Sequence, residues 1–129
     1  MEPIWIQQQV VIAAHEESLA EHGGPPGIRD LGMLESALAR PKNLYAYSET
    51  EPSLHRMAAA YAFGITANHP FVDGNKRTAL IASITFLKLN GLQVTADKAD
   101  RYLTFYGLAA GTVSEEELAA WFARNTSAI

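Results

Sequence analysis

His69-Pro70-Phe71-Val72-Asp73-Gly74-Asn75-Lys76-Arg77-Thr78-Ala79 leads without interruption into residues 78 to 90, TALIASITFLKLN, and the junction of the two decides the fold. The second piece is apolar nearly all round, which predicts a central buried helix over about 76–90, covered on every side and stopped by Gly91. The first piece breaks the preceding helix. Pro70 disfavours α geometry at His69, and Asp73-Gly74 is a common turn dipeptide. A polar loop therefore feeds directly into a core helix.

Working outward, Leu54, Met57, Ala58, Tyr61, Ala62 and Ile65 form a helical stripe that starts near Pro52 and runs to about Asn68. Residues 42–51, KNLYAYSETE, show no sustained period and predict a short flap-like loop or hairpin. Before them, Asp30 suits the N-cap of a helix over 31–40 that Pro41 ends. An earlier helix over 6–21 stops at Gly23-Gly24-Pro25-Pro26-Gly27. Two helices follow the central one, over about 97–110 and 114–125, the second opened by a capping-box arrangement from Ser114 to Glu117. The sum is an all-α chain without repeats. Trp5 and Trp121 are expected to pack the terminal helices together.

At 129 residues the chain fits one domain over 1–129, large enough to bury roughly two-thirds of its unfolded surface. The absence of cysteine excludes a disulfide scaffold, a thiolate nucleophile and a Cys-ligated metal, and suits a reducing cytoplasm. Residues 1–14 carry no basic n-region and their apolar run is broken by glutamines, so neither a signal peptide nor a membrane span is expected. A net charge of −4 argues against broad duplex binding, which needs many cations on phosphates. Positive charge that matters must be local.

It is local in the quoted stretch. The first turn of a helix presents unpaired N–H groups and the positive end of its dipole, so the amides from about Gly74 to Arg77 are suited to cradling phosphate oxygens. Asn75 is placed to cap the helix or face a ligand, and Lys76 and Arg77 add cations of the kind phosphoryl transfer requires. Asp73 supplies the hard oxygen Mg²⁺ prefers, and His69 supplies an imidazole, the side chain most often used as general base for a hydroxyl. Taken singly, Asp73-Gly74 is a turn and Lys76-Arg77 a solvated helix start; together they fall where a helix N-terminus invites an anion. His15, Asp30, Glu35 and His55 have no metal-ligand spacing, so His15 and His55 read as ordinary helix residues.

HPFVDGNKRTAL resembles the Fic/Doc family, whose shared core is HxFx(D/N)(G/A)N before a basic helix start, and GGPPGIRD and LESALARP extend the likeness over most of the chain. It is most similar to the Doc, death-on-curing, branch of bacterial toxin–antitoxin pairs: Lys76 stands where AMP-transferring Fic proteins have Gly, and Leu80 where they carry a second Arg. The resemblance implies a compact bundle of about six helices using ATP and Mg²⁺. The implied reaction passes the γ-phosphoryl group to a Thr or Ser hydroxyl of a translation factor, elongation factor Tu. It also implies His69 as base, Asp73 as metal-associated carboxylate, Gly74, Asn75, Lys76 and Arg77 as the phosphate set, and Tyr45 and Tyr47 on a flap that holds the target peptide. AMP transfer, or a non-catalytic module that only binds an antitoxin, are the alternatives. No Glu is followed by Gly or Asn, so the (S/T)xxxE(G/N) motif of self-restraining Fic proteins is missing, which implies restraint in trans by a Phd-like antitoxin.

Overall fold

A computed structural model describes all residues, 1–129. Six helices run in the order α1 (Gln8–His22), α2 (Leu31–Tyr47), α3 (Leu54–Asn68), α4 (Asn75–Leu89), α5 (Lys98–Ala110) and α6 (Glu115–Arg124). Strands β1 (Leu92–Val94) and β2 (Thr126–Ala128) pair antiparallel, Gln93 opposite Ser127. That ribbon adds to the all-α reading without altering it; strands of three residues are too short to show an alternating pattern. No helix is long and apolar enough to cross a membrane.

Side-chain caps open four of the six helices, at Asp30 and Ser114 where the sequence puts them and at Ser53 and Asp97 besides. Asp30 accepts from the Met33 amide, Ser53 from Arg56 and Asp97 from Asp100, and Ser114 with Glu117 closes a reciprocal capping box. Each such cap contributes about 1 kcal/mol. The start of α4 has none: its N-cap is Gly74, in the left-handed region at φ 78°.

Two expectations need correction. The helix ended at Pro41 in fact continues to Tyr47, so the flap-like loop at about 42–51 shrinks to 48–53. Pro41 costs α2 the hydrogen bond its missing N–H would have given Ala37. That loss, about 3 kcal/mol, is offset because Leu34, Ala37, Leu38 and Pro41 bury one face against α3. Packing also moves the centre of the bundle. The helix enclosed on all sides is α3, buried from Met57 to Ala62 and at Gly64 and Ile65, whereas α4 buries only one side and leaves Ile81, Ile84 and Leu80 partly exposed. Small residues explain this. Ala58, Ala59, Ala60 and Ala62 let neighbours approach, and a Cβ on Gly64 would lie 3.2 Å from the Ala37 backbone.

Trp5 and Trp121 do not meet either. Trp5 stacks on Phe86 and edges onto Tyr45, while Trp121 packs with Phe105 and Phe122. At α6, the buried Glu115 carboxylate receives both Arg40 and Arg56, closing one end of a cavity of about 420 Å³ between α2 and α3.

Candidate active site

The turn from α3 to α4 is built before it is functional. His69 ends α3 in the left-handed region at φ 51°, unusual for a non-glycine residue, and the ring of Pro70 behind it is buried. Residues 23–30 hold this turn from one side. Arg29 donates from Nε to the His69 carbonyl at 2.7 Å and from its guanidinium to the Asn68 carbonyl. The Arg29 and Asp30 amides both donate to the Pro70 carbonyl, and Ile28 bridges Phe71. From the other side α1 contributes His15, only 2% exposed, whose ring stacks on Phe71 at 3.8 Å. Its Nε2 lies 2.7 Å from the Asp73 carbonyl, an acceptor only, so Nε2 carries the proton.

Asn75 completes the scaffold rather than the ligand set. Its side chain accepts from the Phe71 amide and donates to the Phe71 carbonyl, both at 2.9 Å, and is buried. Only its backbone N–H remains for a phosphate, and the cap expected of it falls to Gly74. The reason is geometric: an amide side chain one residue inside the helix reaches back across the turn and satisfies both polar groups of a buried loop residue.

What faces solvent is a cavity of about 490 Å³ lined by Thr66, His69, Asp73, Gly74, Lys76, Arg77 and Ala109. The amides of Asn75, Lys76 and Arg77 find no acceptor in the chain, leaving the first turn of α4 open to an anion. Neither Lys76 nor Arg77 has a carboxylate partner. Arg77 is steadied through Nε on Ser18, and the Lys76 ammonium lies 4.7 Å above the Tyr106 ring and 5.6 Å above Tyr102. His69 is exposed at the rim, with no hydrogen bond to its imidazole. Asp73 gives one carboxylate oxygen to the Gly74 amide and holds the other beside Gly24, where a Cβ would stand 2.5 Å from Oδ2.

No group of three or more His, Asp or Glu is arranged to cage a metal. The Asp73 carboxylate, which has no cationic partner and lies next to free amides, suits an ion such as Mg²⁺ that is held through one or two carboxylates plus substrate phosphates.

Six of the eight sequence-selected residues thus surround one cavity, Asn75 through its backbone. Tyr45 and Tyr47 do not line it; they occupy the last turn of α2, Tyr45 against Trp5 and Tyr47 exposed. Sequence reasoning missed His15, Arg29 and Gly24 as supports of the loop. GGPPGIRD was a visible signal for two of them, whereas a lone histidine inside a helix gives none.

A sequence profile of the Fic/DOC family matches residues 5–87. Over 114 residues the chain is 35% identical to the Protein kinase doc of Escherichia phage P1, spanning 88% of this chain and 89% of that protein. It is 45% identical over 75 residues to the Toxin Doc of Mycolicibacterium smegmatis, spanning 58% of each. Helical bundle, HPFVDGNKR turn and these matches agree, and the chain belongs to the Fic/Doc family.

Proposed function

We propose that this chain is a Doc-type toxin, a protein serine/threonine kinase that transfers the γ-phosphoryl group of ATP to a hydroxyl of a translation factor, elongation factor Tu being the target the family resemblance suggests. The carrying observation is the uncapped start of α4, whose three free amides, Lys76 and Arg77 open onto the same cavity as the exposed imidazole of His69.

In this reading the target hydroxyl oxygen bonds to the γ phosphorus as the bond to the bridging oxygen breaks and ADP leaves. His69 takes the hydroxyl proton. The amides of 75–77 and the two cations stabilise charge on the phosphoryl oxygens, where preorganised donors act most strongly. Asp73 would hold Mg²⁺, which neutralises charge shared by the β and γ phosphates when bound. Arg29, His15 and Asn75 are positioning residues that fix the turn.

Lys76 fills with an ammonium the space that glycine leaves open in AMP-transferring relatives, which favours phosphoryl over AMP transfer. ATP labelled at the α or the γ phosphate separates the two: γ label on the target is expected, and α label there would establish AMP transfer instead. A third reading, a non-catalytic module, requires that neither label transfers. The toxin is proposed to work in the cytoplasm and to be restrained by a Phd-like antitoxin. The antitoxin's disordered tail would fold as a helix on the groove between α1 and α4, where Ala14, Leu80 and Ile81 lie beside Glu17, Glu21 and Arg77.

A further inference from the structure

The cavity of about 420 Å³ between α2 and α3 has no part in the reaction at His69, and its charge is unbalanced. Arg40 and Arg56 both bond to one buried carboxylate, that of Glu115, and no other acidic side chain lines the space. The exposed Glu116 comes only to 4.0 Å from Arg56. The two cationic side chains keep 45% and 30% of their surface exposed, and neither guanidinium makes a further hydrogen bond. A guanidinium carries several donors in a fixed fork, so most of them stay free.

Phe63 lies 4.8 Å from the Arg40 guanidinium and steadies it against an aromatic face. Along α2, Ser36 and Asn43 add an exposed hydroxyl and an amide that no other group in the chain engages. Ala37, Ala60 and Gly64 make a floor of small residues, which gives the trench its depth. From Ser36 to Asn43 it follows α2 for about 10 Å, the length of three extended residues. On α3 it runs from Asn68, the residue before His69, back to Arg56, roughly 20 Å from the base at the helical rise.

We propose that this trench docks an extended acidic segment of the protein whose hydroxyl is phosphorylated, one carboxylate of that segment pairing with the free edges of Arg40 and Arg56. The proposal rests on the protein-kinase reading. It adds a second point of contact for the substrate, an acid about six extended residues from the acceptor hydroxyl. Charge selects the occupant, because guanidinium forks match carboxylates and this lining is net positive in a chain of net charge −4. Position selects substrate over inhibitor. The trench shares no residue with the cavity at His69 or with the groove between α1 and α4, so an occupant leaves the phosphate site open, as a substrate must.

Asn43 tests the trench without touching the Glu115 pairs, since it is exposed and stands three residues from Arg40 on α2. A carboxylate there would occupy Arg40 in the substrate's place, whereas an ammonium would add to the attraction. Steady-state kinetics with elongation factor Tu as acceptor should show Asn43→Glu raising its KM about fivefold and Asn43→Lys lowering it about twofold. In both variants kcat and the KM for ATP should stay within about twofold of the unaltered protein, and the gap between them should narrow at high salt. Circular dichroism checks that both fold.

Equal KM values for the two variants would overturn the docking while leaving phosphoryl transfer intact, and so would an effect confined to kcat. Equal values beside a dimer of the unaltered protein that Asn43→Glu dissociates would give the trench to a second copy instead. If the unaltered protein transfers no phosphoryl group to elongation factor Tu, the kinase reading itself fails, and the docking with it.

Discussion

His15 shows how a residue without chemistry of its own can govern a site. Buried, stacked on Phe71 and donating to the Asp73 carbonyl, it sets where the carboxylate of Asp73 and the first turn of α4 lie. His15→Phe keeps the stack and loses the donor; it should lower kcat for target phosphorylation about tenfold with the fold intact, since small displacements of a reacting geometry are costly. His15→Gln keeps a donor and should recover part of that rate. Steady-state kinetics on both variants check it, and equal rates in Phe, Gln and unaltered proteins would remove His15 from the machinery. The cavity-lining residues were legible because a helix start, two cations, a carboxylate and a histidine fall within eleven consecutive positions. His15 was not, because its partner lies 58 residues away and the contact exists only once α1 packs against the turn. Asn75 was legible as important and misread in role, since which way an amide side chain turns depends on the buried loop it meets.

Among the elements, caps and breakers carried most of the boundaries, and Pro41 is the instructive failure. A proline predicts a helix end from its own geometry, but the face it shares with Leu34, Ala37 and Leu38 has more to gain by staying helical against α3. The centre of the bundle was misplaced for a related reason: uniform apolarity marks a helix that can be buried, whereas small side chains mark the one that neighbours can surround. Gly64 tests that packing. Gly64→Ala would set a methyl 3.2 Å from the Ala37 backbone, where neither helix can yield easily, and should destabilise by roughly 1–3 kcal/mol despite alanine's better helix propensity. Urea unfolding reads it as a lower midpoint with an unchanged slope. A rise in the midpoint would show that α2 and α3 have room to spare.

For the whole molecule, the C-terminal ribbon is fastened to the central helix by one titratable contact. Thr126 spends its hydroxyl proton on the Phe122 carbonyl, so it accepts from His55 Nε2 at 2.9 Å. Burial pushes the His55 imidazole below its usual 6.5. The folded chain then binds fewer protons than the unfolded one in that range, so stability rises with pH there. It should be fully present above about pH 6.5 and decline as pH falls through the lowered folded value, an effect His55→Gln flattens. Thermal melts across that range check this; an identical acid-side decline in the variant would assign it to other groups. At this scale the all-α class and helix number were readable from periodicity and caps. Which surfaces meet was not, because composition specifies burial without specifying partners.

The central claim is that His69 and the start of α4 move a phosphoryl group from ATP to a protein hydroxyl. Intact-mass measurement of elongation factor Tu after incubation with ATP, Mg²⁺ and the unaltered protein or His69→Ala tests it most directly. The account predicts a mass gain of one phosphoryl group with the unaltered protein and none with His69→Ala; a gain of one AMP, or an equal phosphoryl gain with the variant, would contradict it.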